Sequence, residues 1–360
     1  MSSTVGNSPA ATPTGGPAQR REAPRVVASS LSLVRRFFIA REGSIIIVTV
    51  LLFVYFAATL SNFLDTANIN TIYPYFAPYA MLAAGEVFLM INGEIDLSIG
   101  GVWLFAPYLY FELAGGHVPL LLAVAITIVT CTLVGVVNGF FTVVVGINSF
   151  ITTLGTLFTL EGFTLIISQA QQQTTPGSQL AGASSGTSIS TFASIFGAGT
   201  YSELIWAIVI VLILQIALTR TRWGMHTIAV GSNRLGAAEA GVRVRWVVIR
   251  NFMVCSTCAG LVGILEAIRT SSITPDPSTS NSLLLDAIAA AVIGGTLLAG
   301  GSGTVVGAFV GALFLGILQD GLAIKGVNAN YLDFYLGLAI LLAMGINVYV
   351  GRARRRSGIG

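Results

Sequence analysis

The sequence predicts an all-α integral membrane protein, and two observations support this prediction. Hydrophobic residues make up 54% of the 360 residues and charged residues only 9%, whereas soluble domains carry about 25% charged residues. A chain with so few polar side chains cannot cover its own surface, so lipid must be its solvent. Apolar stretches then recur along the chain, each about as long as the roughly 20 residues that a helix needs to cross a bilayer.

Hydropathy predicts about ten transmembrane helices. The second and third are separated by Glu94 and Asp96, which interrupt an apolar run and which we interpret as a turn. The predicted spans are residues 44–64, 72–92, 97–114, 118–144, 148–168, 202–219, 247–269, 283–299, 304–322 and 330–349.

Residues 283–322 contain two of these spans, joined by a predicted tight turn at 300–303. Gly303, Gly307 and Gly311 are spaced four residues apart, which places them on one helical face where another helix can approach closely. We interpret Asp286 as a structural acid near the outer end of the eighth span. The predicted packing residues are Asp286, Gly294, Gly295, Gly300, Gly301, Gly303, Gly307 and Gly311.

The basic residues predict that both termini are cytoplasmic, because Lys and Arg near span ends are retained on that side. Arginines cluster before the first span, between spans six and seven and after the last span. An even number of spans therefore places every Lys and Arg inside except Arg269 and Lys325. We expect a disordered basic tail at 1–43, a transmembrane permease domain at 44–350 and a basic tail at 351–360.

Two connecting loops are long enough to have their own roles. The loop 169–200 holds no basic residue, as expected of an external loop. The cytoplasmic loop 220–246 contains a small helix-forming run bounded by glycines at 231–242, which predicts one short helix lying against a cytoplasmic partner.

The sequence offers no motif for catalysis or for a metal. A P-loop needs a lysine followed by Ser or Thr, but the only lysine, Lys325, precedes a glycine. His117 and His226 fall in different loops, and Cys255-x-x-Cys258 has no second ligand pair. We therefore predict that this chain has no catalytic residue, no metal and no cofactor, and that it is not an enzyme. The net charge of +3 reflects topology and does not favour nucleic-acid binding.

Acidic residues in or beside the spans allow two interpretations, because a charge at mid-bilayer costs about 3 kcal/mol even on lenient scales. They either carry protons during transport or form hydrogen bonds that hold helices together, and Arg269 is a possible partner for an acid near the outer face. The absence of a basic residue in mid-span favours a neutral substrate. The acids are Glu86, Glu161, Glu266, Asp286, Asp320 and Asp333.

A neutral polar solute would be bound by hydroxyls, amides and aromatic faces, although such residues also join helices. Candidates lie at span ends and breaks. The candidate translocation path consists of Glu94, Asp96, Ser98, Asn138, Phe150, Thr152, Thr153, Thr156 and Thr296.

Several separated blocks together resemble the permease subunit of bacterial ABC sugar importers of the ribose/xylose/arabinose type. They occur in the family's order across residues 44–350. The blocks are Gly93-Glu94-Ile95-Asp96-Leu97-Ser98-Ile99-Gly100, Val137-Asn138-Gly139, Phe150-Ile151-Thr152-Thr153-Leu154-Gly155-Thr156, residues 231–242, Leu285-Asp286-Ala287-Ile288-Ala289-Ala290, Gly294-Gly295-Thr296 and Ala299-Gly300-Gly301-Ser302-Gly303.

This resemblance implies two inverted five-helix halves in the cytoplasmic (inner) membrane of a bacterium and a homodimer that forms the sugar path. It also implies an external sugar-binding protein and a cytoplasmic ATPase whose two nucleotide-binding domains hold ATP and Mg²⁺. Glu94 stands where many relatives have glycine, and Arg234-Leu235-Gly236 stands where they often have Glu-Ala-Ala. The resemblance assigns coupling to the ATPase to Ser232, Asn233, Arg234, Ala238, Glu239, Gly241 and Arg243.

The leading hypothesis is therefore an ATP-driven uptake permease for a neutral monosaccharide or polyol. One rival is a proton-coupled secondary transporter that uses acids such as Glu161 or Asp286. Another is a channel or a membrane scaffold without transport activity.

Overall fold

Long helices form nearly all of the chain that the structure, a computed structural model, describes, namely residues 43–174, 191–342 and 345. The helices are α1 Gly43–Thr59, α2 Thr66–Ile91, α3 Ser98–Gly115, α4 Leu120–Phe140, α5 Ser149–Ser168, α6 Ser202–Arg220, α7 Arg222–Ser232, α8 Arg234–Glu239, α9 Val244–Thr270, α10 Pro277–Ile293, α11 Val305–Ile324 and α12 Ala329–Leu342. The predicted tails lie largely or wholly outside the described residues.

Each predicted span overlaps one helix, namely α1 to α6 or α9 to α12. Among the described residues, six helices are long and apolar enough to cross a membrane: α2, α5, α6, α9, α11 and α4 with its π-helical continuation to Val145. The helices α1, α3, α10 and α12 are shorter or less apolar. The all-α membrane fold thus agrees with the prediction, whereas ten spans, two inverted halves and cytoplasmic termini stay predictions.

The helices form a buried inner group and a more exposed outer group. In the most apolar window of α2, 83% of the residues are buried, whereas the corresponding shares for α4 and α5 are 28% and 22%. Large apolar side chains such as Leu133 on α4 and Ile166 on α5 are exposed. A helix that is apolar on every side and still exposed is typical of lipid contact, so α4 and α5 contribute much of the lipid-facing or partner-facing surface.

A short two-stranded sheet joins the start of the loop 169–200 to the end of α9. The strand β1 (Gln173–Thr174) pairs antiparallel with β2 (Ser272–Ile273). The hydroxyl of Tyr108 on α3 donates to the carbonyl oxygens of Gln171 at 3.0 Å and Ile273 at 3.1 Å. One end of the sheet is therefore fastened to α3, while residues 175–190 of the predicted loop lie outside the described residues.

The predicted end of the eighth span at residue 299 is wrong, because α10 ends at Ile293. Gly295 adopts φ +93°, and its N–H donates to Val292 O at 2.9 Å while Thr296 N donates to Ala291 O at 3.1 Å. This pair of bonds is the Schellman arrangement that ends helices at glycine. The connection to α11 therefore spans 294–304 instead of a tight turn at 300–303, and Gly303 lies before α11.

The backbones of α10 and α11 touch where glycines lack side chains. A Cβ built on Gly307 would lie 2.2 Å from Gly294 O, and one on Gly311 would lie 2.1 Å from Ala290 O. Both neighbours are backbone atoms, which cannot rotate away as a side chain can. The close approach of the two helices depends on these residues having no side chain.

Gly311→Leu is expected to destabilise the protein by about 3 kcal/mol, the upper end of the usual overpacking range, because α10 and α11 must separate. Gly337→Leu is the matched control, since a Cβ at Gly337 would meet nothing within 4 Å. Thermal inactivation of the purified permease in detergent measures both. Equal midpoints for the two variants would contradict the assigned α10–α11 contact.

Candidate functional site

The segment 220–246 forms two short helices where one was predicted. The break falls at Asn233, which is extended at φ −158° and ψ 102° and whose side chain accepts from Gly236 N at 3.0 Å to cap α8. Gly241 then ends α8 with φ +83°. The predicted coupling residues Ser232, Asn233, Arg234, Ala238, Glu239, Gly241 and Arg243 are all exposed.

Three backbone segments meet directly beneath this element. A Cβ on Gly231 of α7 would lie 1.9 Å from Ile91 O at the end of α2, and that same oxygen accepts from Gly301 N at 2.8 Å. We call the meeting of α7, the end of α2 and the loop 294–304 the glycine junction. Because backbone touches backbone there, α7 cannot shift without displacing the other two segments.

Asn251 of α9 connects the glycine junction to the bundle. Its amide nitrogen donates to Asn92 Oδ1 at 2.6 Å and to Phe88 O at 3.1 Å, and its amide oxygen accepts from Trp223 Nε1 at 2.8 Å. Asn92 in turn donates to Thr227 O at 2.8 Å. Asn251 is fully buried, and sequence reasoning missed it, although a lone amide in an apolar span was an available signal.

An ion pair joins α8 to the turn between α2 and α3. Arg234 Nη2 contacts Glu94 Oε1 and also donates to Asn92 O at 3.1 Å. The Glu94 side chain is 10% exposed and that of Arg234 is 46% exposed. A residue predicted for the path and one predicted for coupling are therefore in direct contact.

Four residues of the predicted path form one hydrogen-bonded chain. Asp96 Oδ1 accepts from Ser98 Oγ at 2.5 Å, Ser98 Oγ accepts from Asn138 Nδ2 at 2.8 Å, and Asn138 Oδ1 accepts from Thr156 Oγ1 at 2.7 Å. Asp96, Ser98 and Asn138 are completely buried. In this conformation these hydrogen bonds connect the turn 92–97 to α4 and α5.

Of the remaining predicted path residues, only Thr152 lines a described cavity, one of about 580 Å³ beside α4 and α5 that Thr156 also lines. Thr153 accepts from Leu97 N at 3.1 Å, which also holds the turn. Phe150 is 52% exposed on the outer surface of α5. Thr152 and Thr296 have buried hydroxyls without a hydrogen-bond partner among the described residues.

Most of the intramembrane acids accept hydrogen bonds from a neighbouring helix. Glu161 accepts from Ser280 Oγ at 2.6 Å, Asp320 accepts from Asn68 Nδ2 at 2.9 Å, and Asp286 accepts from Gln319 Nε2 at 3.4 Å. Glu86 is fully buried beside Cys255, whose Sγ lies 3.3 Å from Glu86 Oε1. These contacts fit the interpretation of the acids as links between helices.

Two adjoining cavities open at the end of the bundle opposite the glycine junction. Their volumes are about 290 and 490 Å³, and both are lined by Glu266 and Thr279. Trp103 Nε1 donates to Glu266 Oε2 at 3.2 Å, and Arg269 pairs with Glu203 at 3.0 Å and with Glu266 at 3.4 Å. The expected pairing of Arg269 with an acid is therefore present, although the predicted path set includes none of these residues.

Close packing places Trp103 beside Glu266. A Cβ on Gly263 of α9 would lie 2.3 Å from Trp103 O, so α3 and α9 approach closely one turn before Glu266. At the rim, Asp276 caps α10 by accepting from Ser278 N at 3.0 Å. Hydrogen bonds from Ser278 and Thr279 hold the pKa of Asp276 below its usual value, which keeps this rim residue ionised.

Comparison with known proteins identifies a family. Residues 68–344 match the family described as "Branched-chain amino acid transport system / permease component". Similar curated proteins include the xylose/arabinose import permease protein XylH of Sulfolobus acidocaldarius, with 35% identity over 90% of this chain and 88% of the relative. The ribose import permease protein RbsC of Escherichia coli shows 31% identity over 86% and 95% of the two chains, and the D-allose permease AlsC of the same organism shows 28% over 87% and 93%. No solved structure shows significant similarity.

Proposed function

Because the chain belongs to this family of permease components and is a multi-pass subunit of the ABC-importer type in the cytoplasmic membrane, we propose that it imports a neutral monosaccharide or polyol. In this proposal a second copy of the chain completes the path, and an external sugar-binding protein delivers the solute. A cytoplasmic ATPase with two nucleotide-binding domains binds ATP and Mg²⁺ and drives the cycle. The substrate class follows the names of the relatives, which import pentoses and a hexose.

The glycine junction is the observation that carries this proposal. It connects an exposed element, α7 and α8, to α2, to α9 through Asn251 and to the loop 294–304. A partner docked on α8 can therefore move several helix ends together. A transporter driven from the cytoplasm needs such a connection, because a partner shifts an equilibrium only when its contacts differ between the two states.

The route from α8 to the outer helices is continuous. The Arg234–Glu94 ion pair reaches the turn 92–97, and the chain from Asp96 through Ser98 and Asn138 continues to Thr156 on α5. We propose that closure of the ATPase tilts α8 and that this route changes the position of α5. Alternating access then results from packed helices with two arrangements and involves no covalent chemistry.

A small-residue surface of α5 supports the proposed second copy. A Cβ added at Gly155 or at Gly162 would lie more than 4 Å from any neighbouring atom. Thr159, between them, is exposed. Small residues on an open face of a membrane helix permit close helix association. We propose that this face of α5 lies against the partner copy.

Reconstitution tests the proposal directly. Proteoliposomes that contain the permease, its ATPase and its binding protein should accumulate D-xylose, L-arabinose or D-ribose only when ATP is supplied on the ATPase side. Omission of the binding protein or of Mg²⁺ should remove the uptake. Uptake by the permease alone under a pH gradient would instead support a proton-coupled carrier, and ATP-independent equilibration would support a channel.

A further inference from the structure

We propose that the paired cavities around Glu266, here called the Glu266 vestibule, bind an uncharged polyhydroxy solute within a single copy of the permease. The walls come from four helices, α2, α3, α9 and α10. This inference rests on the proposed sugar-import function and specifies where and how the solute is held. It places the solute contact on residues outside the predicted path set.

Prolines inside α2 and α3 line the vestibule. Pro74 and Pro78 lie inside α2, and Pro107 lies inside α3. Proline has no N–H, so it cannot donate to the carbonyl four residues earlier. Those carbonyls belong to Asn70, Pro74 and Trp103, and Asn70, Trp103 and the three prolines all line the vestibule. A membrane protein tolerates such carbonyls where protein or a polar cavity surrounds them. In this proposal Asn70 O and Pro74 O accept from solute hydroxyls, whereas Trp103 O lies against Gly263 of α9.

The side chains add acceptors, donors and aromatic surface. Glu266 stands between the two cavities with its side chain 23% exposed, and one N–H from Trp103 and one from Arg269 hold its carboxylate in place. Each carboxylate oxygen keeps a lone pair for a further donor. Thr279, which carries a hydroxyl, and the aromatic residue Tyr79 also line the walls. Convergent polar groups with aromatic faces are typical of small-molecule sites.

Charge and size favour a neutral sugar. Arg269 pairs with both Glu203 and Glu266, so two carboxylates surround one guanidinium, and Asp276 adds a third acid at the rim. This excess of negative charge disfavours a phosphorylated or acidic sugar. Small-molecule sites have volumes of about 300–1,000 Å³. The smaller cavity, about 290 Å³, is close to the lower limit and the larger one, about 490 Å³, lies within this range, which fits one monosaccharide.

Glu266 could instead serve only as an ionic partner that positions Arg269. A purely structural role predicts that Glu266→Gln lowers thermal stability and leaves the sugar affinity of the remaining folded protein unchanged. A solute contact predicts that Glu266→Gln also weakens sugar binding by the protein that remains folded. Trp103→Phe separates the two roles in a second way, because it removes the indole N–H from Glu266 Oε2 and leaves the Glu266–Arg269 pair in place.

The test uses the full-length permease in lipid nanodiscs, with binding of D-xylose, L-arabinose and D-ribose followed by intrinsic fluorescence and by saturation-transfer NMR. We expect saturable binding of at least one sugar and none of D-xylonate. Glu266→Gln should weaken that binding about tenfold, as expected for loss of a hydrogen bond to a charged group. Trp103→Phe should also weaken it, because the Glu266 carboxylate loses the indole donor that positions it. Glu112→Gln, at an exposed acid on α3 outside both cavities, should bind as the wild type does.

Uptake by the complete importer separates failure of the inference from failure of the proposed function. If the wild-type importer accumulates these sugars but both vestibule variants bind them with unchanged affinity, or the wild-type permease binds none, the vestibule proposal is overturned. If the wild-type importer accumulates no sugar, the proposed function itself fails.

Discussion

Glu94→Arg should reduce ATP-driven sugar uptake at least tenfold, and the double variant Glu94→Arg/Arg234→Glu should recover much of it. The single change places two guanidinium groups beside Asn92 O, where the native carboxylate is 10% exposed. Like charges in a partly buried site repel strongly, whereas the exchanged pair restores attraction. Neighbouring residues couple in this way, so the two single effects should not add. ATP-dependent uptake in proteoliposomes measures the effect.

The two neutralised variants should differ, which separates the ion pair from simple surface charge. Arg234→Gln leaves the buried Glu94 carboxylate without its partner and should cost about 1–3 kcal/mol of stability. Glu94→Gln should cost less, because Arg234 is 46% exposed and can reach water. Arg220→Gln is a control at an exposed arginine that ends α6. Uptake by Glu94→Arg at the wild-type rate, or a double variant worse than both single variants, would refute the proposed route.

Asn251→Leu should destabilise the permease by about 3 kcal/mol or more. The substitution leaves Trp223 Nε1, Asn92 Oδ1 and Phe88 O without their native partner, and each buried group left unsatisfied costs about 1–3 kcal/mol. The effect should also reach function, because the same side chain joins α9, α2 and α7. Thermal inactivation of the purified protein and the yield of monodisperse permease measure it.

The control for Asn251→Leu is the same substitution at Asn330, an exposed position. We expect the midpoint of Asn330→Leu to equal that of the wild type. If Asn251→Leu also leaves the midpoint unchanged, the network at the glycine junction does not stabilise the protein.

Local patterns were sufficient to locate the membrane helices. The helices α3, α5 and α6 begin and end within a residue or two of the predicted spans, because burial in lipid depends on the summed hydropathy of consecutive residues. Where a boundary depended on backbone geometry, hydropathy failed. The predicted eighth span includes the apolar residues Leu297 and Leu298, whereas the left-handed conformation of Gly295 ends α10 before them.

Contacts between distant residues were beyond the reach of the same patterns. Glu94 and Arg234 were each recognised as departures from the family pattern, but 140 residues separate them and only the folded chain shows that they form one ion pair. The predicted path residues Asp96, Ser98 and Asn138 were chosen for polarity, and the structure shows that they bond to one another instead of facing a cavity. Polarity alone cannot distinguish a solute contact from an interhelical hydrogen bond.

The amino-acid sequence was enough to establish the all-α membrane class, the family and the positions of most helices, because each follows from the composition or order of neighbouring residues. The tertiary structure decided which polar groups pair. It placed Glu94 against Arg234, Asn251 among α2, α7 and α9, and Glu266 between two cavities. Such pairings depend on how helices far apart in the chain are turned toward one another, and the close approach permitted by glycines such as Gly231 and Gly263 sets that arrangement.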